Sequence, residues 1–198
     1  MEDCKSRLIV VGMSAGGMKL LVTLLQALPA DFTIPIVCVM HLSEDTGDSW
    51  VNLMNNKTPL TVKEAEEKET IQNGTIYLAP PGYHLLIEGD RSFTLTYDER
   101  VNYARPSIDV TFETAAYSLG NQVIGFLGTG GNSDGAKGLL RIKERGGYTM
   151  VQQPSFAEFP AMPESALQLF EPNKIVTVEG LINQLLAFDE QYKLVHES

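Results

Sequence analysis

Short apolar runs alternate with helical repeats along this chain. Arg7 to Val11 is a short β-branched run, and Gly12 to Gly17 breaks it. MKLLVTLLQALP then places Leu20, Leu21, Leu24, Leu25 and Leu28 at helical spacing, stopped by Pro29. IPIVCVM, Ile34 to Met40, is continuously apolar, as a strand buried on both faces must be. The opening thus predicts strand, tight turn, helix, strand, a right-handed βαβ unit. LSEDTGD is polar, SWVNLMNN predicts a short helix, and TVKEAEEKETI predicts an exposed strand and loop. TIYLAPPG predicts a strand stopped by Pro80-Pro81-Gly82. Alternation on both sides of Gly89-Asp90 predicts a hairpin. A helix follows from Ser107 to Gly120, and QVIGFLGT predicts another buried strand. A glycine-rich loop and the helix AKGLLRIKERGG come next, then strand YTMVQ, a helix around MPESALQLF, strand KIVTV and a last helix from Glu179. This alternation predicts an α/β fold. Its sheet is doubly wound and mostly parallel, with helices on both faces and one added β-hairpin.

The chain has 198 residues, which suits a single domain, with a core expected at about 7–182 and a tail beyond. Hydrophobic residues at 43% suffice for a core. The net charge of −10 argues against a nucleic-acid or anionic-membrane partner, because both need a positive footprint. No apolar run approaches the length of a spanning helix, and the first residues lack the form of a signal peptide. The two cysteines, Cys4 and Cys38, form no CxxC pair, so neither a disulfide framework nor a zinc site is expected. A reducing cytoplasm is the expected compartment.

Active sites of open parallel sheets gather at the carboxyl ends of the strands. The first buried strand is followed by Ser14, the second by His41, and QVIGFL by a loop holding Asp134. These are the parts of a nucleophile, a base and an orienting carboxylate. Gly12-x-Ser14-x-Gly16 between strand and helix fits a sharp elbow, and Ala15 N–H stands at the helix start as a natural oxyanion donor. Other readings stay open. A glycine-rich turn there also suits a phosphate loop, although Ser14 would crowd a pyrophosphate and no GK[ST] follows. Asp134 could be only a helix N-cap, and His41 only structural. Ser107 and Asp109 read as an N-cap and a first-turn acid, His84 as structural, and His196 as exposed. Met13 and Met40 flank the serine and histidine and could line an apolar wall. The order Ser, His, Asp differs from that of α/β-hydrolases.

Six segments in order, VVGMSAGG, VMH, YLAPPGYHLLI, RPSIDVTFETAA, GFLGTGGNSDGAKGL and VQQPSFAEFPAMPESAL, resemble the catalytic domain of CheB-type protein-glutamate methylesterases. The resemblance runs from about Arg7 to Val178. It implies a serine hydrolase of glutamate γ-methyl esters on the cytoplasmic helices of chemoreceptors, releasing methanol and often deamidating glutamine. It places the triad on Ser14, His41 and Asp134, and the oxyanion hole on the backbone N–H groups of Ala15 and Gly131. It implies no metal or organic cofactor. Ala15 stands where the family often has Thr, and Gly131 where it often has Met. LSEDTGDSW replaces a Pro- and Phe-bearing loop. Only a handful of residues precede the first strand, where the family usually carries a receiver domain, so the expectation is one of three: the site is constitutively open, its control lies in a separate receiver or other signalling protein, or the chain is a fragment. A module that keeps the fold but serves docking is the alternative expectation.

Overall fold

A computed structural model describes residues 7–41 and 49–196. The polar segment LSEDTGD lies outside the described residues. In chain order the elements are β1 (Leu8–Met13), α1 (Gly17–Ala27), β2 (Ile36–Met40), α2 (Ser49–Asn55), β3 (Thr61–Glu64), β4 (Thr75–Leu78), β5 (His84–Ile87) and β6 (Phe93–Thr96). Then come α3 (Ile108–Leu119), β7 (Val123–Leu127), α4 (Ala136–Glu144), β8 (Tyr148–Gln152), α5 (Ala161–Leu169), β9 (Lys174–Val176) and α6 (Val178–His196). Seven parallel strands form one sheet in the order β3-β4-β2-β1-β7-β8-β9, and β5 and β6 form a separate antiparallel hairpin. The predicted fold class is the observed one.

The two apolar runs are continuous because each strand feeds two cores. Successive side chains of a strand point to opposite faces. Ile9, Val11 and Met13 of β1, with Ile36, Cys38 and Met40 of β2, pack with the leucines of α1 and with Leu181, Leu185 and Phe188 of α6. Leu8, Val10, Val37 and Val39 face the other way, toward Phe112 of α3, Leu139 of α4, Met162 of α5 and the hairpin residues Leu85, Ile87 and Phe93. At roughly 1.5–3 kcal/mol for each fully buried large aliphatic side chain, these two layers are the main favourable contribution to folding.

Met13 and Met40 correct an expectation. They are 0% and 5% exposed and belong to the core on the α1 side, so they do not line an open cleft. Their period-2 position decides this: each continues the inward-facing row of its strand. The charged run after β3 is surface, as expected, with Lys63 paired to Glu66 and Glu69 at 2.7 and 2.9 Å. Among the described residues no helix is long and apolar enough to cross a membrane.

Candidate active site

The sheet order puts β1 between β2 and β7, and this fixes the site. β1 and β2 run parallel with Met13 opposite Met40, so Ser14 and His41 are the next residues of two neighbouring strands. On the other side β1 pairs with β7 up to Gly12 opposite Leu127. Backbone bonds extend that pairing past the strand ends: Gly128 N–H donates to Gly12 C=O at 2.9 Å and Ser14 N–H to Thr129 C=O at 2.9 Å. The elbow is thereby sewn to the loop that carries Asp134.

Gly16 turns the chain with φ 77°, a left-handed conformation that a side chain would strain, and α1 starts at the next residue. Gly12 is needed for another reason. A Cβ there would collide with the Ile108 side chain at the start of α3. The glycine therefore lets the N-terminus of α3 close on the elbow, which matters for Asp134.

His41 Nε2 lies 2.8 Å from Asp134 Oδ2. The carboxylate side chain is 0% exposed and the imidazole 16%. Asp134 is not the N-cap of α4, where Gly135 takes that place. It caps α3 from outside instead. Its oxygens accept from Ile108 N–H at 2.7 Å, Asp109 N–H at 3.2 Å, Ser107 Oγ at 2.8 Å and Asn102 Nδ2 at 2.8 Å. Burial pushes this carboxyl upward, but the hydrogen bonds from His41, Asn102, Ile108 N–H and Ser107 outweigh it, and the net shift is below the usual range. The helix N-terminus favours the same charge. An ionised Asp134 can only accept, so Nε2 of His41 carries the proton and Nδ1 keeps a lone pair. The ring nitrogen left to accept from a donor is therefore Nδ1.

The expected oxyanion residues are both accessible. Ala15 and Gly131 are exposed, and no heavy atom lies within 4 Å of a Cβ placed on Gly131. Two neighbouring donors are already spent: Ser14 N–H on Thr129 C=O, and Gly130 N–H on Phe159 C=O at 3.0 Å. Thr129 is 2% exposed, donates to Ala15 C=O at 2.9 Å and accepts from Phe159 N–H at 2.9 Å, so it ties three loops together.

His84 is structural, as read. Its Nδ1 accepts from Ser107 N–H at 3.2 Å and its Nε2 lies 3.0 Å from Glu99 C=O. Ser107 is the N-cap of α3, as read, but its hydroxyl also reaches Asp134. Asp109 sits in the first turn, 5% exposed, and burial with the nearby Asp134 charge pushes its carboxyl up against the bond from Gly138 N–H. Asn102 and Thr129 were not singled out in the sequence. No local pattern marks Asn102, and Thr129 shows only as the first hydroxyl after a buried strand. The His196 side chain lies outside the description. Among the described residues no three His, Cys, Asp or Glu side chains gather as a metal site would require.

Comparison with known proteins agrees with this architecture. The family model described as CheB methylesterase matches residues 9–185. A putative protein-glutamate methylesterase/protein-glutamine glutaminase of Leptospira interrogans is 44% identical over 182 residues, covering 92% of this chain and 94% of that protein. Protein-glutamate methylesterase/protein-glutamine glutaminase 1 of Carboxydothermus hydrogenoformans is 33% identical, covering 91% of this chain and 55% of that protein. The crystal structure of the Thermotoga maritima CheB methylesterase catalytic domain superposes with a TM-score of 0.87 at 28% identity, covering 92% of this chain and 98% of that one. With a matching family model over most of its length, a matching fold and a histidine–aspartate pair beside the serine elbow, the chain belongs to the CheB methylesterase family.

Proposed function

We propose that this protein is a serine esterase that removes methyl groups from glutamate γ-methyl esters on the cytoplasmic helices of chemoreceptor-type proteins. The observation that carries the reading is the 2.8 Å bond between His41 Nε2 and a fully buried Asp134, at the strand end next to Ser14. Ser14 Oγ attacks the ester carbonyl while His41 Nδ1 takes its proton. Asp134 keeps the imidazole in the required tautomer and balances the imidazolium. The N–H groups of Ala15 and Gly131 hold the oxyanion. The tetrahedral intermediate collapses, the C–OCH3 bond breaks, and His41 returns the proton to the leaving methanol. Water, deprotonated by His41, then attacks the acyl-enzyme and frees glutamate and Ser14. A glutamine side chain entering the same site would release ammonia by the same steps. The chemistry calls for no cofactor. The chain works in the cytoplasm, next to the helices it acts on.

Methanol release from a methylated receptor cytoplasmic fragment tests this. Ser14→Ala is expected to lower turnover by at least about 10⁴-fold. Wild type that binds the fragment without releasing methanol would sink the esterase reading in favour of a docking module.

A further inference from the structure

The carboxylate that holds His41 has a second carboxylate close by. Asn102 Nδ2 donates at 2.8 Å to Asp134 Oδ1 and at 2.8 Å to Asp109 Oδ2. A primary amide has two N–H bonds, and here each serves one carboxylate. The two oxygens are thus no farther apart than those two bonds laid end to end. Asp109 is fixed from its other side, where Oδ1 accepts Gly138 N–H at 2.7 Å. Two buried carboxylates this close repel, and without a donor between them one must turn away or take up a proton.

The amide reaches this place from an unusual turn. Val101 and Ala104 exchange both backbone hydrogen bonds, at 3.2 and 2.9 Å, which leaves Asn102 and Tyr103 as a two-residue reversal. Both have positive φ, 51° and 63°. Asparagine tolerates that region, but tyrosine seldom adopts it. Such conformations persist where the surroundings over-determine them, and they gather at functional sites. Tyr103 is 96% exposed, so its own burial does not hold the turn. Asn102 is exposed as well, and what the turn directs onto the two buried carboxylates is its carboxamide.

We infer that Asn102 is a positioning residue of this site, its carboxamide bridging Asp134 and Asp109 so that Asp134 stays aimed at His41. Asp109 is the anchor of that bridge. The inference rests on the serine-hydrolase reading above.

The test uses Asn102→Gly, Asp109→Asn and the double variant. Glycine keeps the left-handed backbone and removes only the side chain. Two readouts are taken on the full chain: methanol release, and the rate at which a fluorophosphonate labels Ser14, which needs no receptor. Asn102→Gly is expected to lower kcat and the labelling rate about ten- to a hundred-fold with KM little changed. Asp109→Asn alone is expected to slow both rates, because its new NH2 meets the NH2 of Asn102. In the double variant the clash between the two NH2 groups is gone, so its loss should be no greater than that of Asn102→Gly alone. Asn102→Asp, isosteric but donor-free, should lose at least as much as Asn102→Gly, which keeps the question answerable if the glycine variant unfolds. Rates near wild type for either single Asn102 variant, or losses that simply add in the double, overturn the inference. Labelled wild type without methanol release refutes the substrate assignment, while the labelling rates still decide Asn102. Wild type that does neither overturns both.

Discussion

Two aspartates are buried at opposite ends of the parallel sheet. Asp134 is 0% exposed at the carboxyl ends of the strands, and Asp189 is 2% exposed on α6, against the segment leading into β2. Both are saturated with donors. Asp189 accepts from Thr33 N–H at 2.8 Å, Thr33 Oγ1 at 2.5 Å and Ile34 N–H at 3.2 Å, and pairs with Lys193 Nζ at 2.9 Å. Saturation therefore does not mark function, since any buried carboxylate needs it. The partner makes the difference. Lys193 resists deprotonation: partial burial lowers its pKa, but Asp31 and Asp189 more than offset that. His41 instead offers a ring nitrogen with a lone pair that can accept a proton. One aspartate fastens a helix to the sheet; the other holds the imidazole that the proposed chemistry uses as its base.

The largest effect that would test this contrast is on turnover. Asp134→Asn should cost about 10⁴-fold in kcat, because the amide cannot fix the same tautomer. If that variant kept its methanol release, the contrast between the two aspartates would collapse. Next, Asp189→Ala should leave kcat/KM unchanged below its melting point but cost about 2–4 kcal/mol of stability, read by urea unfolding. It leaves the Thr33 and Ile34 N–H groups without their buried acceptor. A variant that stays folded yet loses activity would show that Asp189 is not merely a fastener.

The smallest effect is the pH dependence of stability. Asp134 has a native pKa below its unfolded value, so the native state binds fewer protons there. Its contribution is complete above the unfolded pKa of about 3.9 and fades as pH falls through the depressed native value. The stability gap between wild type and Asp134→Asn should be flat from neutral pH to about pH 5 and narrow below about pH 3.9. Asp109 has the opposite sign: its raised pKa costs stability at neutral pH, and the cost is relieved as pH falls through that raised value. A gap that widens on acidification would mean that Asp134 is not held as the anion.

Much of the site was legible because its main parts follow strands. An apolar run that ends in a glycine or a polar residue announces both the strand and what it delivers, so Ser14 and His41 could be placed from local sequence. From its local sequence Asp134 could be named but not assigned, since SDG before a helix also suits a cap; only the family resemblance gave it a role. It turned out to cap a different helix, α3, by contacts that span about 25 residues or more. Ser107 was read as the cap of its own helix, and its second bond to Asp134 had no local signal. Met13 and Met40 adjoin Ser14 and His41 along the chain, but nearness in sequence is not nearness to the cleft. The period-2 rule, applied to Met13 and Met40, sends both into the core.

The sequence by itself determined the strand–helix alternation, the parallel sheet with its hairpin, and the residues at the strand ends. Those features depend on periodicity and turn chemistry within a few residues. Only the tertiary structure decided that β1 lies between β2 and β7, and that α3 closes on Gly12. It also brought Asn102, Ser107 and two backbone N–H groups to a carboxylate distant in sequence. The physical reason is that burying a charge demands donors from wherever the fold can bring them, and that supply is not written next to the residue that needs it.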